Sequence, residues 1–133
     1  MITRTRFDSS ANLIFVDVEI EGLRGKRILL PVVLDTGATL SIIPPDAALD
    51  LGYDPVKSKA RKRIFTGSGV ELCPLVTVRS ITALGMTVKN LDVLCHDLPE
   101  GSCVDGLLGL NFLKHYDFAV KYSEGIIELR TKT

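Results

Sequence analysis

The chain has 133 residues, 46% of them hydrophobic, which suits a single domain with a sizeable core over residues 1–133. Its 16 basic and 16 acidic side chains balance, so the overall charge gives no reason to expect nucleic acid or an anionic membrane as a partner. No apolar run approaches the roughly 20 residues that cross a bilayer. Three cysteines, an odd number, fit a reducing compartment. We therefore expect a cytoplasmic protein, unless a membrane anchor precedes this sequence.

The first half of the chain is dominated by patterns typical of β-strands. Apolar residues alternate over residues 14–20, and residues 28–34 form a continuous apolar run of strand length. A β-branched strand is predicted over residues 40–43. Residues 45–51 predict a short helix, because proline stands at its start and Gly52 can cap its end.

The second half predicts a hairpin followed by further strands. Residues 63–78 are expected to form two strands around the glycine-bearing tip at residues 66–69. Residues 86–94 alternate again, with Met86, Val88, Leu91 and Val93 buried after a local adjustment at Asn90. A loop over residues 96–104, one or two helical turns over 109–115, and strands over 118–122 and 126–130 complete the prediction.

The segment with the clearest chemical content is Asp35-Thr36-Gly37, which ends the apolar run. A carboxylate at the end of a buried strand is held by a rigid element. Gly37 lets backbone approach it closely, and backbone N–H groups and Thr36 can fix its orientation. The alternative is an Asx-turn in which Asp35 only ends a strand. The three residues by themselves favour the Asx-turn, because three-residue motifs recur by chance.

Two further features give the segment a context. Leu107-Leu108-Gly109 precedes a predicted short helix, and the hairpin tip lies between the two motifs. In this order the chain resembles the retropepsin-like aspartic proteases, whose pattern is two apolar residues, Asp-Thr/Ser-Gly-Ala/Ser, a flap hairpin, and two apolar residues with glycine before a helix. The resemblance extends from about residue 13 to residue 129.

The resemblance implies an all-β, single-domain retropepsin-like fold with closed, barrel-like sheets, a flap hairpin and one or two short helices. It implies an aspartic endopeptidase that needs no cofactor. Because only one Asp-Thr-Gly occurs, the second aspartate must come from an identical subunit, so the partners are a second copy of the chain and a peptide substrate. The two carboxylates would share one proton and activate a water molecule.

The resemblance also assigns roles to individual residues. Asp35 would be catalytic, and Thr36, Gly37 and Ala38 would support the catalytic turn, with Thr36 bonding across the dimer axis. The remaining residues would bind substrate from the flap or pack under the active site. The flap residues are Phe65, Thr66, Gly67, Ser68 and Gly69, and the packing residues are Leu107, Leu108 and Gly109.

The chain departs from the retroviral pattern at Leu110, where those members often carry an arginine that supports the dimer. The dimer seam therefore needs another element. We expect that the strand over residues 126–130 could serve, because an unpaired strand is a template for pairing with another chain.

Other functions receive less support. We expect no metal site, because Cys95, His96, Cys103 and His115 lack metal-ligand spacing. Cys73 and Cys95 lie in apolar strands and are interpreted as small core residues rather than nucleophiles. Two alternatives stay open: a catalytically idle, dimeric peptide-binding or scaffolding module on the same fold, and a β-barrel domain unrelated to proteases.

Overall fold

The computed structural model describes residues 1–132, without the side chain of Thr66. The chain is mostly β-structure, with short 3₁₀ turns at Leu23–Gly25 and Pro55–Lys57. In chain order, the strands and helices are β1 (Ile2–Arg6), β2 (Phe15–Glu21), β3 (Arg27–Leu34), β4 (Ser41–Ile43), α1 (Pro45–Asp50), β5 (Arg61–Thr66), β6 (Gly69–Ala83), β7 (Met86–Cys95), β8 (Leu107–Leu108), α2 (Leu110–Leu113), β9 (Tyr116–Lys121) and β10 (Ile126–Thr131).

Within the described residues the larger sheet has the order β2-β3-β8-β4-β7-β6-β5. The C-terminal half of β2 also pairs with the C-terminal end of β6, from Val18 opposite Ala83 to Glu21 opposite Ser80. This second pairing closes the sheet on itself, because β2 then has hydrogen-bonded neighbours on both sides. The all-β fold with a barrel-like sheet and short helices, expected from the sequence, is confirmed.

The core lies inside this closed sheet and under α2. Val18, Ile20, Val78 and Val93 point inward from the strands, and Phe112 from α2 is fully buried among them. The alternation over residues 14–20 is confirmed, with its even-numbered members from Val16 onward buried. Such alternation is what a strand with one buried face requires.

The long hairpin of β6 and β7 shows the adjustment expected at Asn90. This residue has φ of 54°, a left-handed conformation that asparagine tolerates better than most residues. Met86 and Val88 before it, and Leu91 and Val93 after it, are all buried. The left-handed residue moves the alternating buried positions from even-numbered residues before Asn90 to the odd-numbered Leu91 and Val93 after it. Apolar side chains from both halves of β7 therefore face the core.

The prediction that residues 126–130 provide an unpaired strand is wrong. Strand β10 is the middle strand of a second sheet, with the order β1-β10-β9. Ile2 lies opposite Arg130 on one side, and Lys121 lies opposite Ile126 on the other. Both backbone edges of β10 are therefore used within the chain, and β10 cannot pair with a second copy by strand addition.

Strand β1 was not predicted, because Ile-Thr-Arg-Thr-Arg contains a single apolar residue.

No helix within residues 1–132 has the length and apolar character needed to span a membrane.

We expect Phe112→Ala to lower the free energy of unfolding by about 3–5 kcal/mol, since it removes a fully buried aromatic ring. Phe65→Ala is the matched control, because that ring is 85% exposed and its loss should change stability by less than about 0.5 kcal/mol. Urea unfolding at one fixed protein concentration measures both. Equal losses in the two variants would contradict this placement of the core.

Candidate active site

Asp35 stands where β3 ends, directly after the buried Leu34. Its backbone N–H donates a hydrogen bond to the carbonyl oxygen of Leu108, with the two atoms 3.0 Å apart. The side chain is partly exposed. The carboxylate is thus presented to solvent from a backbone position that the hydrogen bond to Leu108 anchors to the sheet.

The turn after Asp35 orients its carboxylate. The Gly37 N–H donates to Asp35 Oδ1 at 2.8 Å, and the Ala38 N–H donates to the Asp35 carbonyl oxygen at 3.2 Å. A Cβ on residue 37 would lie only 3.2 Å from Oδ1, which explains why glycine suits this position. This is the geometry of an Asx-turn, so the turn conformation is compatible with a structural role as well as a catalytic one.

The insertion of β8 between β3 and β4 distinguishes this site from an ordinary turn. Val33 pairs in parallel with Leu107, Leu34 pairs with Leu108, and Ile42 pairs with Leu107 from the other side. The strands before and after the Asp35 turn are therefore held apart by a separate part of the chain. Residues 107–109 therefore lie next to the Asp35 turn.

Gly109 makes this insertion possible through a close backbone approach. A Cβ at this position would lie 2.7 Å from the Ala38 carbonyl oxygen and 2.9 Å from Leu40. The next residue, Leu110, donates its N–H to the same Ala38 oxygen at 2.8 Å. Glycine is therefore required by the contact between α2 and the Asp35 turn.

A buried polar network that was not predicted from the sequence braces the same region. Asn111 Oδ1 accepts hydrogen bonds from the Ser41 N–H and from Ser41 Oγ, both at 2.9 Å. Ser41 Oγ in turn accepts from the Gly109 N–H at 2.9 Å, and Asn111 Nδ2 donates to the Asp92 carbonyl oxygen at 2.7 Å. One amide thus links β4, β7 and α2. The sequence feature that could have indicated this network is Asn111, a polar residue among the apolar residues of α2.

The predicted flap is a hairpin of β5 and β6. Phe65 lies opposite Val70 and Thr66 opposite Gly69, so Gly67 and Ser68 form a two-residue turn at the tip. Gly69 has φ of +122°, which residues with a side chain rarely adopt. The hairpin predicted around residues 66–69 is confirmed, with arms that begin at Arg61 and continue to Ala83.

A cleft separates this hairpin from the Asp35 turn. A cavity of about 420 Å³ is lined by Gly37 and Ala38 on one side and by Ile64 and Phe65 on the other. A second cavity of about 700 Å³ lies along the hairpin toward the loop after β7, and Ile42, Ile64 and Phe65 line both. Of the predicted turn residues, Gly37 and Ala38 therefore line a largely apolar space together with Phe65 of the predicted flap, whereas Asp35 and Thr36 are not among its lining residues.

The cysteines predicted to belong to the core are buried. Cys73 is 3% exposed and Cys95 also 3%. Burial, and then the neighbouring Cys73, raises the pKa of the Cys95 thiol to about 11. Burial also raises the pKa of the Cys73 thiol, with a further contribution from Glu71. A thiol must lose its proton to act as a nucleophile, so the raised pKa of both cysteines argues against this role. This holds although His96 Nδ1 lies 3.6 Å from Cys73 Sγ.

We expect Asn111→Ala to lower the free energy of unfolding by about 1–3 kcal/mol, because it leaves the buried Ser41 N–H and hydroxyl without their acceptor. Asn12→Ala, in an exposed bend, is the control and should change stability little. Chemical denaturation of both variants checks this, and an unaffected Asn111→Ala would show that the network does not brace the site.

Comparisons with known proteins identify the family and the fold. Residues 16–112 match the family described as Aspartyl protease. The fold resembles the crystal structure of a retropepsin-like aspartic protease from Rickettsia conorii, with a TM-score of 0.72 and 18% sequence identity over 97% of this chain and 89% of that one. The curated proteins include no match. The hypothesis of a β-barrel unrelated to proteases is therefore wrong. The chain belongs to the aspartyl protease family and has the retropepsin-like fold.

Proposed function

We propose that this protein is an aspartic endopeptidase that works as a homodimer, with one Asp35 from each subunit in a shared active site. The observation that carries the proposal is the partly exposed Asp35 carboxylate, which the Gly37 N–H holds at the end of β3. Gly37 and Ala38, which follow it in the same turn, line a cleft under the hairpin. The sequence contains a single Asp-Thr-Gly. A second carboxylate in equivalent geometry is therefore supplied by two-fold symmetry.

Asp105 does not replace this second carboxylate. It is an exposed residue followed by Gly106 and Leu107, without the hydroxyl residue that follows Asp35. Thr36 is exposed in the single chain, as expected for a side chain that braces the pair across the dimer axis. In this proposal residues 1–133 act as one domain, and Gly37 and Ala38 keep the turn close to the substrate backbone.

The mechanism follows from two carboxylates in close proximity. Two such groups cannot both ionise easily, so the pair holds one proton. The ionised carboxylate removes a proton from a water molecule, whose oxygen attacks the carbonyl carbon of the peptide bond. The protonated carboxyl group gives its proton to the carbonyl oxygen. Collapse of the tetrahedral intermediate returns a proton to the leaving nitrogen, which departs as an amine.

Substrate would bind as an extended strand between the Asp35 turn and the flap. The backbone of residues 65–69 supplies hydrogen bonds and the glycines at 67 and 69 permit the hairpin to close. Ile42, Ile64 and Phe65 are the apolar side chains common to both cavities along this path. We infer a preference for apolar residues next to the cleaved bond.

Asp35→Asn should lower kcat/KM by at least about 10²–10⁴-fold, since the pair loses the group that transfers protons. Asp105→Asn is the matched control and should keep near-wild-type activity, because its carboxylate lies outside the proposed pair. Cleavage of a mixed peptide library, followed across acidic to neutral pH, measures both.

The cleavage rate of the wild type should show a bell-shaped dependence on pH, with its maximum on the acidic side of neutrality. A rate that rises steadily into alkaline pH would contradict a shared proton.

Subunit mixing tests whether two chains form one site. A ninefold excess of Asp35→Asn chains, after exchange, leaves about a tenth of wild-type chains paired with each other, so activity should fall to about a tenth. The same excess of Asp105→Asn chains should raise activity with the total subunit concentration. Unchanged activity in the Asp35→Asn mixture would show that each chain acts alone.

The alternative is a catalytically idle, dimeric peptide-binding or scaffolding module. The cleft and flap support it equally well, because they require no chemistry at Asp35. Peptide binding without cleavage by a dimeric wild-type protein, over the whole pH range, would favour the module. Cleavage that disappears in Asp35→Asn while peptide binding persists would favour the enzyme.

A further inference from the structure

Three potential metal ligands, Glu71, Cys73 and His96, meet at the base of the flap. Glu71 and Cys73 are two residues apart on β6, so their side chains share one face of the strand. Leu75 on β6 pairs with Leu94 on β7. Cys73 lies two residues before Leu75, and His96 lies two residues after Leu94, just beyond the end of β7. The His96 N–H donates to the Ile43 carbonyl oxygen at 3.0 Å, which fixes the backbone of this residue beside β4.

The ligand atoms of these residues converge. His96 Nδ1 lies 3.6 Å from Cys73 Sγ and 3.8 Å from Glu71 Oε2, and all three ligand atoms lie within 4.8 Å of one another. Zinc bonds of about 2.3 Å to sulfur and 2.0–2.2 Å to nitrogen or oxygen, at tetrahedral angles, separate neighbouring ligand atoms by roughly 3.4–3.6 Å. Two of the three separations are therefore already close to those of a tetrahedral site.

We propose that Glu71, Cys73 and His96 form a binding site for a divalent transition metal of the zinc type. Sulfur, imidazole and carboxylate ligands together suit Zn²⁺ better than the hard cations Mg²⁺ and Ca²⁺. Three protein ligands leave a fourth position for water or another group. That position can open into the cavity of about 700 Å³, which Glu71 and His96 line. Binding would transfer the thiol proton of Cys73 to solvent, leaving a thiolate on the metal.

The sequence did not predict this set, because its spacing is not that of a zinc motif. Cys73 and His96 are 23 residues apart, and only the pairing of β6 with β7 brings them together. The neighbouring residues Cys95 and His96 cannot form such a pair, because successive residues of an extended chain point to opposite sides. The structure therefore replaces Cys95 with Cys73 as the cysteine that faces His96.

The site would connect the flap to the wall of the cleft. Glu71 and Cys73 belong to the returning arm of the hairpin, opposite Ile64 and Lys62. His96 opens the segment that lines the larger cavity, together with Asp97, Leu98 and Pro99. A metal bound to both would restrain the base of the flap. If the proposed peptidase activity holds, zinc would then lower it by slowing the flap.

Cobalt substitution and zinc binding test the site without relying on activity. We expect the wild type to bind one Zn²⁺ per chain in equilibrium dialysis, and Co²⁺ to give a thiolate-to-cobalt charge-transfer band in the near ultraviolet. Cys73→Ser and His96→Gln should each weaken Zn²⁺ binding by at least about tenfold. Glu71→Gln, at an exposed position, should weaken it while preserving the fold, which covers the case in which the buried Cys73→Ser variant misfolds.

The chain offers matched controls for each ligand type. Cys103→Ser and His115→Gln remove an exposed thiol and an exposed imidazole elsewhere, and both should bind zinc like the wild type. Absence of stoichiometric binding, or a cobalt–thiolate band that survives Cys73→Ser but disappears in Cys103→Ser, would overturn the proposal.

Hydrogen exchange tests the restraint on the flap. Saturating Zn²⁺ should slow amide exchange in residues 61–72 at least several-fold in the wild type and leave it unchanged in His96→Gln. Zinc binding without slower exchange would overturn the connection to the flap. Because both readouts are independent of peptide cleavage, failure of the metal site and failure of the proposed enzyme remain distinguishable.

Discussion

The insertion of β8 between β3 and β4 is the constraint on which the rest of the structure depends. The two strands that flank the Asp35 turn do not pair with each other; they pair with Leu107 and Leu108. The Asp35 N–H is bonded to the inserted strand, and the Ala38 carbonyl oxygen to the N–H of Leu110. The backbone of the turn is thus held at Asp35 and at Ala38 by a segment about seventy residues later in the chain. Such rigidity is what a catalytic group needs and what a simple strand end does not require.

The same constraint explains why a single chain would supply half of a site. The turn presents one oriented carboxylate, with the exposed Thr36 beside it, toward solvent rather than toward the core. In the proposed dimer, this surface meets its own symmetry mate, and the shared proton follows from the proximity of the two carboxylates. The seam is not formed by adding a strand of the second copy to β10, because both edges of β10 are already paired within the chain.

Much of the fold could be predicted from the sequence where one local pattern dominated. The alternation in β2, the apolar run of β3 and the glycine-bearing tip of the flap each predicted the observed element. The features that were missed depend on contacts between distant residues. The Ser41–Asn111 network and the approach of Cys73 to His96 exist only after β4, β6, β7 and α2 have packed. The pairing of β10 could not be predicted because its partner β1 has no apolar alternation. The roles proposed for Asp35, Thr36 and the flap residues stay predictions.

The stoichiometry of inhibitor binding tests the central claim most directly, namely that two chains build one active site around two Asp35 carboxylates. Isothermal titration of the wild type with a statine-type peptide inhibitor, whose hydroxyl imitates the tetrahedral intermediate, counts sites per chain. The account predicts one inhibitor bound per two chains, with affinity strongly reduced in Asp35→Asn. Binding of one inhibitor per chain, or binding that is unaffected by Asp35→Asn, would contradict it.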